Sequence, residues 1–169
     1  ADPDTAEGLV KAVTLIPASG EFSYATASVK KSSGAGGATI AENLNAITDT
    51  ADIVVALDRL QSLAPAVESV SLVVAWFGDD LRAGSCKVRP GVEVAAKTTA
   101  PSSWSVNGVA RADAFLVSRD AEYRPIYGGT PADFAVVQAI QEMKARGLRV
   151  TFYPFLLLDI PPGNTKPNP

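Results

Sequence analysis

The chain contains no histidine. That removes every Ser-His-Asp or Cys-His catalytic set from within it, and every histidine-ligated zinc site. Cys86 is the only cysteine, so no internal disulfide can form. Its ordinary reading is a plain buried or half-buried thiol. No apolar run reaches the roughly 18–20 residues that span a bilayer. The first residues, ADPDTAEG, are acidic and lack the basic and apolar regions of a signal peptide. Fifteen Lys and Arg against eighteen Asp and Glu leave a net charge of −3 with no basic patch, which argues against nucleic-acid binding. The glycines of SSGAGGA (32–38) have neither Walker A nor dinucleotide spacing, and no lysine follows in the right place. No cofactor and no metal site are therefore expected. The initial Ala and the terminal PPGNTKPNP read as ends cut from something longer.

What is present is an ordinary globular composition, long enough at 169 residues for one domain with a core. The clearest stretch is 127–160. Thr130 is a candidate N-cap, Pro131 suits the first helical position, and Asp133 suits the positive end of the helix dipole. Val136, Val137, Ile140 and Met143 fall on one face, and Glu142 and Arg146 form an i,i+4 pair. Gly147 is placed to end the helix in a left-handed conformation. Val150 to Ile160 is nearly all apolar, the pattern of a parallel strand covered on both faces.

Earlier in the chain, residues 1–11 read as frayed. Val13–Ile16 is a short strand closed by Pro17, Ser19-Gly20 a turn, and Glu21–Val29 extended. Residues 43–50 are ambiguous. Asp52 is a plausible N-cap for a helix over 53–63, with Val54, Leu57, Leu60 and Leu63 at helical spacing. Val70–Phe77 is a second buried strand ending at Gly78-Asp79-Asp80. Two helix-to-strand units argue for repeated βα construction. Residues 81–105 are loop-rich, 104–109 a short turn, and 114–117 with 123–127 a candidate hairpin.

Three segments then carry a resemblance: VSLVVAWFGDDLRAGSCKVRPGVE (70–93), WSVNGVARA (104–112) and YGGTPADFAVVQAIQEMKARGLRVTFYPFLLLDIPPGN (127–164). They resemble the TIM-barrel-like, glycoside-hydrolase-like module of the tail-tip hub protein of gene transfer agents and related tailed phages. The likeness covers most of 50–164. It implies an α/β, (β/α)-barrel-like fold. It also implies a place on a virion-like tail assembled in the cytoplasm of the producing cell. The implied partners are other tail-tip proteins, the remainder of a longer chain, and cell-envelope glycan. A complete barrel takes about 200–250 residues. Only three core strands are convincing here: 13–16, 70–77 and 149–158. The expectation is the N-terminal part of a barrel: a 1–50 N-terminal segment, a 51–164 partial barrel and a 165–169 Pro-rich tail.

Ligands of such sheets sit beyond the carboxyl ends of the strands. The strand-end carboxylates are Glu21, Asp79, Asp80 and Asp159, and glycoside hydrolysis needs two of them. Adjacent residues point opposite ways, so only one of Asp79 and Asp80 is expected to face a barrel mouth. The bland alternative is that Asp79, Asp80 and Asp159 cap backbone N–H groups. Trp76, Phe77, Tyr153 and Phe155 read as core. Trp104 and Tyr127 are the candidates for stacking on sugar rings. Arg82 and Arg89 are candidates for an anionic sugar, for pairing with Asp79 or Asp80, or for plain solvation. A structural and binding role is favoured, with a glycan or peptidoglycan hydrolase as the rival and a free-standing sugar-binding domain as the third reading.

Overall fold

The structure is a computed structural model that describes residues 4–17, 20–32, 37, 39–161 and 163–166. Most of the SSGAGGA loop, Ser19 of the expected turn and the end of the Pro-rich tail lie outside the described residues. In chain order the elements are α1 (Ala6–Leu9), β1 (Ala12–Leu15), β2 (Lys30–Ser32), β3 (Thr39–Ala41), α2 (Asp52–Leu63) and β4 (Ser69–Gly78). Then come β5 (Val88–Arg89), β6 (Gly91–Val92), β7 (Thr99–Ala100), β8 (Ser105–Val106), β9 (Val109–Ala110), β10 (Phe115–Leu116), α3 (Asp133–Ala145) and β11 (Arg149–Leu158). The fold is mixed α/β around a parallel sheet, and no sheet among the described residues is closed.

That sheet has the order β1-β4-β11, with both of these pairs parallel and the short β5 antiparallel to the end of β4, so the three main strands step in one direction as the chain advances. β1 and β4 are joined through α2, and β4 and β11 through α3. The two helices pack side by side. Arg146 at the end of α3 donates to Asp58 of α2 at 2.7 Å, and Gln61 of α2 donates to the Arg146 carbonyl. β4 is the centre. Val70, Leu72 and Val74 join Ile53 and Leu57 of α2 and Ala135, Ala139 and Met143 of α3 in one core. The alternate residues Val73, Ala75 and Phe77 are buried as well. A strand buried on both faces need not alternate in polarity, which is why 70–77 reads as one apolar run.

β11 departs from the expectation. It pairs with β4 over all ten residues, yet Phe152 (51% exposed), Tyr153 (46%), Phe155 (41%) and Leu156 (45%) face solvent. No described strand covers its far edge. Composition sees the apolar run but not whether a neighbour is there to bury it.

Helix limits were legible and their buried stripes less so. The inner face of α3 is Ala135, Val136, Ala139 and Met143, while Val137 is exposed. Alanines at i and i+4 let the helix sit close to the sheet, which outweighs the larger residues beside them. In α2 the buried residues are Ile53 and Leu57, and Leu63, the last residue of the helix, is exposed. Gly147 does take a left-handed φ of 81°, and Glu142 pairs with Arg146 at 2.8 Å.

Thr130 is not the N-cap. The helix starts at Asp133, and the buried Thr130 hydroxyl instead accepts the Gly91 N–H at 2.9 Å. Residues 21–29 are not extended: turns close from Ser23 N–H to the Gly20 carbonyl and from Ala25 N–H to the Phe22 carbonyl. Buried Asn43 holds this segment, donating to the Ala25 and Ala27 carbonyls and accepting from Val29 N–H. That gives 43–50 its role: loop, not helix. The expected hairpin also resolves differently. Phe115–Leu116 pairs in parallel with Gly91–Val92, and only the tip at 118–126 folds back, through Arg119 opposite Pro125. At 105–110 a small hairpin forms on Asn107 and Gly108, both at positive φ.

Candidate functional site

The carboxyl ends of β4 and β11 meet an open cleft of about 400 Å³. Leu81, Ser118, Arg119, Ile126, Tyr127, Leu158, Asp159 and Ile160 line it. The insertion 79–131 builds its far wall. β5 pairs with the last residues of β4, and Gly91 is in close contact with the Phe77 ring, so β6 and β10 are drawn against the end of the central strand.

The three predicted carboxylates at the ends of β4 and β11 each have a partner. Asp80 is buried and takes a two-pronged pair from Arg82, Nε at 3.0 Å and Nη2 at 2.8 Å, plus the Arg82 backbone N–H. The guanidinium holds its carboxyl well below the usual range. Asp79 accepts the Lys87 N–H at 2.9 Å, which lowers its pKa, and the Lys166 ammonium 3.3 Å away adds to that. Lys166 also lies 3.9 Å from Asp80, so neighbouring side chains expected to diverge reach one ammonium. Asp159 is buried and accepts the Ser118 N–H at 2.8 Å. Asp159 and Tyr127 are thus the predicted residues that line the cleft. Tyr127 packs against Phe77 with ring centroids 5.8 Å apart.

The other predicted residues sit elsewhere. Trp104 is buried and donates from Nε1 to the Thr130 carbonyl at 2.8 Å, so it is a structural anchor and offers no face to a sugar. Arg82 is spent on Asp80. Arg89 has its guanidinium carbon over the Phe115 ring, 4.0 Å from the centroid, with Nε buried and without an acceptor among the described residues. Trp76 and Phe77 belong to the packed interior, while Tyr153 and Phe155 form an exposed edge-to-face pair.

Glu21 is not at the cleft mouth. It is fully buried at the hub of an ionic cluster. Arg111 donates to both of its oxygens, Lys97 lies 3.1 Å from Oε2, and the Glu93 N–H donates to Oε1 at 2.8 Å. Lys97 also pairs with Glu42 at 2.7 Å and lies 3.9 Å from Glu93, and Lys31 completes Glu42 at 2.8 Å. Arg119 ties this cluster to the cleft by donating to the Glu93 carbonyl at 2.6 Å. Burial works against the charge of Glu42, but Lys31 and Lys97 outweigh it and lower its pKa. Lys97 is raised, since its carboxylates outweigh its burial. Glu93 is pushed up by burial and then by the charge of Glu21, against the pull of Lys97. Only the i,i+4 spacing of Glu93 and Lys97 is local; residues 21, 42 and 111 come from three other segments, so the spacing did not announce the cluster.

Glu93 carries a pH signature. Its folded pKa lies above the ordinary 4.5, so its charge costs stability at neutral pH. That cost sets in as pH rises through the raised value and vanishes below the unfolded value, where the carboxyl is neutral in both states. Glu93→Gln is expected to raise the unfolding midpoint at pH 7, with the gain shrinking towards pH 4. Thermal melts across that range check it, and a gain that grew in acid would contradict it.

No protein-family model and no curated protein matches the chain.

Proposed function

We propose that this chain is a structural and binding segment of a tail-tip hub protein of the gene transfer agent and tailed-phage kind. Its fold is the opening part of a (β/α)-barrel, and it positions the tail at the cell envelope and contacts glycan there. The motifs W-F-G-D-D-L-R, Y-G-G-T-P-x-D and Y-P-F-L-x-x-D-I-P support the family reading. Strands stepping in one direction, with their helices side by side, support the barrel reading.

The observation that carries the choice between binding and hydrolysis is the state of the carboxylates. A glycosidase holds two of them towards a common void, about 5–5.5 Å apart for retention or 6.5–9.5 Å for inversion. Here Asp79, Asp80, Asp159 and Glu21 are each engaged by backbone N–H groups or by cations of the protein itself. At Asp79 and Asp80 these partners stabilise the charged form, which makes a poor general acid, and Glu21 has both oxygens tied to Arg111 away from the cleft.

Purified cell-wall sacculi provide the test. The chain is expected to pellet with them and to release no new reducing ends. Tyr127→Ala, which strips the cleft of its aromatic wall, should weaken pelleting several-fold. Release of reducing ends that disappears in Asp159→Asn, with the fold retained, would establish the hydrolase instead.

A further inference from the structure

Two charged residues line the cleft at the ends of β4 and β11, and neither has a counter-ion. Asp159 is 2% exposed, and its Oδ2 accepts the Ser118 N–H at 2.8 Å. No Lys or Arg among the described residues forms an ion pair with it. A carboxylate withdrawn from water without a cation is costly to hold. Arg119, next in the chain to Ser118, is the opposite case. Its Nη1 donates to the Tyr123 carbonyl at 2.7 Å and its Nη2 to the Glu93 carbonyl at 2.6 Å. Both acceptors are neutral, so they fix the guanidinium without cancelling its charge. The Glu93 carboxylate itself lies beside Lys97. A guanidinium also has more N–H groups than these two bonds use. Asp159 and Arg119 do not form an ion pair with each other.

The other walls are mostly apolar. Leu81, Ile126, Leu158 and Ile160 line the cleft together with Tyr127. Its volume of about 400 Å³ is in the range of small-molecule sites. A neutral sugar would find few partners here for its ring of hydroxyls, since Ser118 has already given its N–H to Asp159. A ligand that meets both charges at once must carry a cation and an anion of its own. Apolar walls beside them suit a short apolar side chain. That is the chemistry of a short peptide with a free amino and a free carboxyl group.

We propose that the cleft binds a zwitterionic peptide group, with Asp159 taking the ammonium and Arg119 the carboxylate. The inference rests on the binding role proposed above and narrows it: on cell-wall material the cleft grips the short peptides attached to the glycan strands, and the sugar rings lie outside it. Ser118 orients Asp159, and two carbonyls hold Arg119, before any ligand arrives. Little ordering is then needed on binding.

The full chain would be titrated calorimetrically with the dipeptide alanyl-leucine, its N-acetyl form, its C-terminal amide and a neutral N-acetylglucosamine oligomer. The free dipeptide is expected to bind, and either cap to weaken it about tenfold, the scale of one lost charge-assisted hydrogen bond. The sugar is expected not to compete. Asp159→Asn keeps an acceptor for the Ser118 N–H. It should weaken the free dipeptide about tenfold and leave the affinity of the N-acetyl form unchanged. Four results would each overturn the proposal: equal affinity of free and capped dipeptides, no saturable binding of the free one, displacement by the sugar, or an equal loss on both forms in Asp159→Asn. The capped ligands on the unaltered chain decide the matter even where the variant fails to fold. Sacculi that pellet while the dipeptide stays unbound would sink this inference alone. Dipeptide binding without pelleting would sink the envelope role and leave the chemistry of the cleft standing.

Discussion

Lys97→Met is expected to destabilise the chain by about 3–5 kcal/mol, the range for removing one member of a buried charged cluster. The ammonium lies within 4 Å of Glu21, Glu42 and Glu93, and its side chain is almost wholly buried. Methionine restores the length of the stem but leaves three carboxylates facing each other. Arg111 still holds Glu21 and Lys31 still holds Glu42, so Glu93 is the most exposed to the loss. The defect should shrink as pH falls and the carboxylates are neutralised. It should also be partly relieved by Glu93→Gln in the same chain. Urea unfolding of the two single variants and the double variant gives the coupling directly. A Lys97→Met midpoint within experimental error of the parent would mean that water, and not Lys97, satisfies the cluster.

The second large effect is expected from one methyl group. A Cβ built at Gly129 would lie 2.6 Å from Glu21 Cγ and 2.9 Å from the Gly91 carbonyl oxygen. The carbonyl belongs to backbone that Thr130 holds from both directions, through its N–H to that oxygen and through its hydroxyl from the Gly91 N–H. It cannot move away cheaply. Glu21 can move only by leaving Arg111 and Lys97. Gly129→Ala is therefore expected to cost about 3 kcal/mol, the upper part of the range for overpacking. Because both substitutions act through Glu21, their effects should fall short of additive when combined. Full additivity in a denaturant cycle would show that the Gly129 contact and the ion cluster are independent.

The sheet was legible because its signals are local. Val70–Phe77 and Arg149–Leu158 are apolar runs of strand length, each preceded by a helix with a clear stop, and Gly147 marks one stop with its left-handed backbone. The exposure of β11 was not legible, since it depends on a neighbour and the sequence of a strand does not record whether one is present. Polar residues misled most where the signal is shared. Thr130 before a proline and an acidic residue has every mark of a cap, but its hydroxyl is drawn to a distant N–H that would otherwise be buried without a partner. The small cleft was half visible: Asp159 and Tyr127 sit at the ends of recognisable motifs, whereas Ser118 and Arg119 arrive from an irregular loop. Trp104 looked available because it lies in a loop, and the Thr130 carbonyl that claims its indole is 26 positions away.

The parallel register of β4 with β11 also has a mechanical meaning. The start of β1 and the end of β11 lie at opposite ends of one sheet. A pull applied between them runs along the strands. The ten-residue ladder between β4 and β11 is then loaded in shear, so its hydrogen bonds share the force and must yield together. The antiparallel β8–β9 hairpin, pulled by its two ends, would instead open one bond at a time. A protein that carries load along its chain is better served by the first arrangement, with the weaker hairpin left off the line of tension.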